Sequence, residues 1–338
     1  MNMRGSRLTA TALTGKIPKQ CNLRPMSQQQ DIQPLPSGYQ LEEYCIQRQL
    51  SQGGFSIVYL AHDAQDMPVA IKEYLPARIS QRGSASPIPT VAAEHQGAFN
   101  QGMKGFFEEG RLLAHLDHPN VVRVLNFFRA NGTAYLVMRY ERGRTLQEHI
   151  QKHAGAMAET FIRQVFSRLL NGLREVHMNK LLHLDIKPAN IYLRIDGHPV
   201  LLDFGATRQG LGGGDSGLSA VHTPGFAAPE QTGSGEALGP WTDIYAVGAT
   251  MYACLAGCTP ISAERRASGE ILEPAQGRWS NDYSPQLLEL IDWSMHLPIT
   301  ERPQSVFSMQ KVLNGELLDL VDPAWFETPA TATDRSTN

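Results

Sequence analysis

His183-Leu184-Asp185-Ile186-Lys187-Pro188-Ala189-Asn190 is the stretch whose reading decides the fold. An acid is followed two residues later by a lysine and five later by an asparagine. One loop thus offers a proton acceptor, a phosphate-facing cation and a metal-ligating oxygen, the set that phosphoryl transfer from a nucleotide uses. A surface turn could carry the same residues by chance, so the order of the surrounding motifs has to decide.

Downstream, Ile191 to Leu193 and Pro199 to Leu202 form a short hairpin pattern across Asp196-Gly197, which delivers Asp203-Phe204-Gly205. Asn190 and Asp203 therefore flank one hairpin and can share divalent cations that bridge phosphates. A Gly-rich run with Ser216, Ser219 and Thr223 follows, ending in Ala228-Pro229-Glu230. Trp241 to Leu255 reads as an apolar helix with Asp243 in its first turn, placed to cap backbone donors of the loop around His183. Leu287 to Met295 and Gln304 to Leu313 read as two more helices, with Arg302 just before the last as a partner for Glu230.

Upstream, Leu146 to His153 and Glu159 to Met178 read as helices. Before them the pattern changes to strands. Tyr44 to Leu50 and Ile57 to Asp63 alternate, joined by Ser51-Gln52-Gly53-Gly54-Phe55-Ser56, whose small residues let backbone N–H groups approach phosphate oxygens. Val69-Ala70-Ile71-Lys72 is a third strand with one lysine at its end. Val121 to Phe128 and Thr133 to Met138 form a hairpin pattern over Asn131-Gly132. Between them, apolar residues from Phe99 to Leu116 recur at helical spacing, and Glu109 shares their inward face while Glu108 is turned outward.

These readings predict an α+β chain in two lobes: a five-stranded antiparallel sheet with one helix over residues 39–138, a linker at 139–143, and a mainly helical lobe over 144–313. Residues 1–36 lack apolar periodicity and are expected to form a disordered leader, and residues 314–338 an acidic, then Thr- and Pro-rich tail. At 338 residues the chain can bury a sizeable core, and a net charge of -3 gives no reason to expect a nucleic-acid or membrane partner. No apolar run reaches the roughly 20 residues of a membrane span, so a cytoplasmic protein is expected. Cys21, Cys45, Cys254 and Cys258 make no disulfide framework, and Cys254 with Cys258 lacks the further ligands of a metal site.

In their order and spacing these motifs resemble the eukaryotic-type protein kinase family, and the bacterial Ser/Thr branch in particular, over Tyr39 to Leu313. The resemblance implies a Ser/Thr kinase that uses ATP with Mg²⁺ or Mn²⁺, phosphorylates protein substrates and autophosphorylates. It implies that Lys72 contacts the α- and β-phosphates and is held by Glu109. Asp185 would take or orient the substrate hydroxyl proton, Lys187 would contact the γ-phosphate, and Asn190 and Asp203 would hold the metal. Leu50, Ser51, Gln52, Gly53, Gly54, Phe55 and Ser56 would cover the nucleotide. The adenine would lie between Val58 and Ala70 above and Tyr192 below, with Met138 and the backbone of Arg139 and Glu141 as the hinge. Phe204, His183, Leu113 and Val124 would stack in one apolar column, and Gly205, Ser216, Ser219, Thr223 and Glu230 would belong to the activation segment. His183, Asp243 and Arg302 would be structural.

The sequence departs from the family pattern in two places. Ser51 and Ser56 stand where the Gly-rich loop has its outer glycines, which narrows the backbone range without removing close approach. Leu184 stands where most members have an Arg that receives an activating phosphate, so activity independent of phosphorylation at Ser216, Ser219 or Thr223 is expected. A catalytically silent scaffold and a small-molecule phosphotransferase are the rival readings. The complete set Lys72, Glu109, Asp185, Asn190 and Asp203 speaks against the first, and Lys187 with the full Thr223 to Glu230 segment against the second.

Overall fold

The computed structural model describes residues 32–153, 157–204, 222–232 and 236–315. The first lobe is built on β1 (Gln40–Leu41), β2 (Tyr44–Gln52), β3 (Ser56–His62) and β4 (Pro68–Tyr74), followed by the two-residue pair β5 (Ser80–Gln81) and β6 (Thr90–Val91), helix α1 (Gln96–Leu113), β7 (Val124–Ala130) and β8 (Thr133–Arg139). Its antiparallel sheet runs β1-β2-β3-β4-β8-β7. The expected five strands are present, and the sixth, β1, is a short edge pairing onto β2.

Alternation along β4 gives the sheet two different faces. Val58 pairs with Lys72, and Ala70 with Met138, on the side that α1 and the second lobe face. Ile57 and Tyr135 flank Glu73, and Tyr59 and Val137 flank Ile71, on the outer side. The outer side has its own core of Ile46, Ile57, Ile71 and Val137, over which Ile32 and Leu35 pack. Both are buried, at 5% and 3% exposure, so the part of the expected leader from residue 32 on belongs to the fold; two apolar side chains separated by polar ones carry no periodicity, which hides them in the sequence. Residues 1–31 lie outside the described residues.

A charged network sits under that segment. Arg82 makes a two-pronged ion pair with Glu73, Nη1 to Oε1 at 2.5 Å and Nη2 to Oε2 at 2.9 Å. Tyr59 donates to Glu73 at 2.7 Å and Tyr135 at 2.8 Å. Burial first, and then the neighbouring Glu73 charge, push both phenols above their usual pKa. Arg82 Nε also donates to the Gln33 carbonyl at 2.8 Å, and the Gln33 N–H returns a bond to the Arg82 carbonyl at 3.0 Å. Glu73 is fully buried, so its charge needs all of these partners.

The second lobe comprises β9 (Gly143–Thr145), α2 (Leu146–His153), α3 (Glu159–Met178), β10 (Ile191–Arg194), β11 (Pro199–Leu201), α4 (Pro240–Ala256), α5 (Ala263–Ala267), α6 (Ala275–Trp279), α7 (Pro285–Ser294) and α8 (Val306–Leu313). Ile162, Val165, Phe166, Leu169, Leu170, Leu173 and Val176 form the buried stripe of α3. Helix α4 is apolar on nearly every side and buried from Thr242 to Leu255, and Gly257 ends it with a left-handed φ of 69°. Ser284 and Ser305 cap α7 and α8 by accepting the N–H of Leu287 and Ser308. Among the described residues no helix is long and apolar enough to cross a membrane.

Several sequence boundaries shift: β7 begins at Val124 rather than Val121, and α8 at Val306 rather than Gln304. Helix α1 stops at Leu113, and Leu116 follows in a tighter turn, its N–H bonded to the Leu113 carbonyl at 3.0 Å; the turn breaks the helix while keeping Leu116 in the core. The stretch 76–95, which shows no apolar periodicity, holds the β5/β6 pair and supplies Arg82.

Arg82→Met leaves the Glu73 carboxylate buried beside two phenols only. The expected result in urea unfolding is a loss of about 3–5 kcal/mol, with Glu73→Gln/Arg82→Met losing less than the sum of the single changes.

Candidate active site

The loop from Leu181 to Lys187 has no regular backbone ladder of its own, so side chains must hold it. Asp243, in the first turn of α4, does so. Its Oδ2 accepts the His183 N–H at 2.9 Å and its Oδ1 the Leu184 N–H at 2.7 Å, while His177 of α3 reaches Oδ2 at 2.8 Å. Leu184 has a φ of 61°, a left-handed conformation that costs a branched residue about 1–2 kcal/mol. A hydrogen bond to a buried charged acceptor contributes about 1.5–3 kcal/mol, enough to offset that strain. Burial pushes the Asp243 carboxyl up in pKa, but the His177 hydrogen bond and charge, with His183, bring it below the ordinary carboxylate value.

His183 carries the constraint onward. Its Nε2 meets the Leu202 carbonyl at 2.9 Å, its Nδ1 accepts the Asp185 N–H at 3.3 Å, and its ring lies 4.3 Å from that of Phe204. Donation at Nε2 and acceptance at Nδ1 is the pattern of one neutral tautomer. The Leu202 N–H bonds the Asn190 carbonyl at 2.9 Å, which ties the approach to Asp203 to the end of the loop. Leu113, Val124 and Phe204 lie buried in one apolar cluster, and His183 is fully buried.

Asp185 stands at the centre of a polar cluster. Lys187 Nζ lies 3.0 and 2.8 Å from its two carboxylate oxygens, and Thr223 Oγ1 donates to Oδ1 at 3.2 Å and accepts from Lys187 at 2.7 Å. Asn190 Nδ2 donates to the Asp185 carbonyl and to Oδ2, both at 2.8 Å. Because both partners are acceptors, the amide nitrogen faces Asp185 and Asn190 Oδ1 faces the other way.

Across the cleft, Lys72 Nζ lies 2.5 Å from Asp203 Oδ1 and 3.8 Å from Glu109 Oε1, with the Phe106 ring 5.6 Å away. Burial raises the Asp203 carboxyl, but the Lys72 charge and hydrogen bond more than offset this and hold it at about 2. Asp203 keeps 41% of its side-chain surface open and Glu109 2%, so Asp203 can reach a ligand in the cleft while Glu109 stays buried beside Lys72. A carboxylate at Asp203 with an amide oxygen at Asn190 is a hard-oxygen donor set that suits Mg²⁺.

The remaining site candidates lie on several elements. Val58, Ala70, Met138 and Tyr192 are half-buried, with Val58, Ala70 and Met138 on the cleft face of the sheet. Leu50, Ser51 and Gln52 end β2, and Gly53, Gly54 and Phe55 turn the hairpin back to Ser56. Arg139 ends β8, and Glu141 lies 3.7 Å from Arg194 on the way to β9. Glu230 is gripped by Arg302 at 2.8 and 3.0 Å and by the Thr242 hydroxyl at 2.8 Å, all buried. Gly205, Ser216 and Ser219 lie outside the described residues.

Sequence reasoning passed over His177, the third group on Asp243, and Gln231, whose buried amide donates to the Leu184 carbonyl at 2.8 Å. His177 belongs to no motif, and Gln231 ends the Ala228-Pro229-Glu230-Gln231 phrase without a role being read from it. The signal for His177 was its place in the last turn of α3, just before the loop it helps to hold.

The family model described as the protein kinase domain matches residues 44–317. The chain belongs to the protein kinase family. It is 32% identical over 305 residues to serine/threonine-protein kinase C of Synechocystis, covering 87% of this chain and 52% of that protein. It is 29% identical over 280 residues to serine/threonine-protein kinase PknA of Nostoc, covering 80% and 46%. The solved structure described as PpkA-294 apo form superposes with a TM-score of 0.75 at 35% identity, over 83% of this chain and 99% of that one. These relatives place the kinase domain in the bacterial Ser/Thr branch, and the chain spans about half the length of the curated relatives it matches.

The Asp243 carboxyl titrates lower in the folded protein than its unfolded value of about 3.9. Its contribution to stability is complete above that value and is lost as pH falls through the folded pKa. Urea unfolding measured from pH 6 down to pH 3 is expected to show a steeper acid loss in wild type than in Asp243→Asn.

Proposed function

We propose that the chain transfers the γ-phosphate of ATP to Ser and Thr hydroxyls of protein substrates and to itself, without needing a phosphate on its activation segment. The observation that carries this is the convergence on Asp185 of Lys187, Asn190 and Thr223, opposite a Lys72 held between Glu109 and Asp203. The Thr223 hydroxyl already donates to the Asp185 carboxylate, which supports the reading that this oxygen accepts a proton from a hydroxyl arriving on the peptide side.

In this reading Asn190 and Lys187 fix the two carboxylate oxygens, so that Asp185 orients the acceptor hydroxyl and takes its proton. Lys72 grips the α- and β-phosphates, and Lys187 turns from Asp185 toward the γ-phosphate as it transfers. Asn190 Oδ1 and Asp203 would hold Mg²⁺, or Mn²⁺, which supplies neutralisation of phosphate charge when bound. Val58, Ala70 and Tyr192 sandwich the adenine, and the backbone of Arg139 and Glu141 beside Met138 hydrogen-bonds its edge. Leu184 has no charge with which to receive an activating phosphate, and its backbone is already held by Asp243.

Incubating the purified protein with labelled ATP and Mg²⁺, and mapping the label by mass spectrometry, tests this. Labelling at Ser or Thr is expected in wild type and a loss of about a hundred-fold or more in Asp185→Ala and Lys72→Met. Ser216→Ala/Ser219→Ala is expected to keep its initial rate within a few-fold. Equal labelling in all samples would remove the catalytic assignment.

A further inference from the structure

Asp185 is aimed by the peptide unit that joins it to Leu184, and that planar unit is held at both ends. Its N–H, from Asp185, meets His183 Nδ1 at 3.3 Å, and its C=O, from Leu184, accepts from Gln231 Nε2 at 2.8 Å. Gln231 is 8% exposed. Its other end, Oε1, accepts the Ala228 N–H at 2.9 Å, so one side-chain amide spans from the catalytic loop to the Ala228-Pro229-Glu230 turn. The turn is itself fixed by the buried Glu230 to Arg302 pair and by the Gln231 N–H bonding the Ala228 carbonyl at 3.0 Å.

We infer that Gln231 is a positioning residue for phosphoryl transfer: its neutral amide locks the Leu184–Asp185 peptide plane to the segment that carries Thr223, and so sets the aim of Asp185 at the incoming hydroxyl. The inference rests on the protein kinase reading given above and adds the group that keeps the loop and the Thr223 to Glu230 segment in register without a phosphate. An amide suits this task because it must donate to one backbone group and accept from another within a single planar unit. Glutamate, of the same size, keeps the acceptor for Ala228 but sets an oxygen against the Leu184 carbonyl. Leucine removes both bonds and leaves that buried carbonyl without its donor.

The test compares wild type, Gln231→Glu and Gln231→Leu in steady-state transfer to dephosphorylated casein, with the affinity for a fluorescent ATP analogue measured beside it. Both variants are expected to lose about ten- to a hundred-fold in kcat while the analogue Kd stays within two-fold, because the nucleotide pocket on β3, β4 and β8 does not touch Gln231. Retention of kcat within two-fold in both variants overturns the inference. So does a parallel loss of analogue affinity, or the absence of folded protein in both, since either assigns Gln231 to general stability. A wild type no more active than Asp185→Ala would instead sink the kinase reading itself, which keeps the two failures apart.

Discussion

One buried carboxylate, Asp243, carries the loop on which the chemistry depends. Left in apolar surroundings it would be costly, and it is kept ionised by accepting from His177, His183 and Leu184 at once. The same three bonds define the backbone of a segment that has no ladder to define it, including the left-handed turn at Leu184. From there the constraint passes through His183 to Leu202 and Phe204, and through Gln231 to the Glu230 turn. Asp185 and Asn190 sit on this loop, and Asp203 and Thr223, from two other stretches of chain, meet them because each of those stretches is tied to it.

The sheet of the first lobe solves a related problem. Strand β4 presents Lys72 to the cleft and, one residue later, Glu73 to the opposite core. A strand carrying two buried charges on opposite faces needs a partner on each. Glu109 and Asp203 serve the lysine, and Arg82 with two phenols serves the glutamate. The Gln33 backbone completes the outer network, so a segment that precedes the first strand becomes part of what holds the strand bearing Lys72.

How much of this could be read from the chain depends on how far apart the partners lie. Asp185, Lys187, Asn190 and Asp203 are legible because their spacing is local and their chemistry is distinctive. Glu109 is legible because helical periodicity puts it on the inward face of α1. The side of β4 that Glu73 faces follows from alternation with Val69 and Ile71, but Arg82 gives no sign in the sequence of being its partner, since it sits in an aperiodic loop. Ile32 and Leu35 were concealed in a polar stretch, and Gln231 reads as an ordinary polar residue until Leu184 is placed beside it. The family resemblance brought out the roles of motif residues and left these contacts unmarked, because they are made between side chains and particular backbone atoms.

The central claim is that Asp243 keeps the loop in its working shape before any phosphate is added. Amide hydrogen exchange at His183 and Leu184 in phosphatase-treated protein, read by NMR, tests it most directly, because buried and bonded amides exchange only through larger openings. The account predicts protection at both amides close to that of the buried α4 backbone, and loss of that protection in Asp243→Ala. Exchange at the rate of an open loop, slowing only after autophosphorylation, would contradict it.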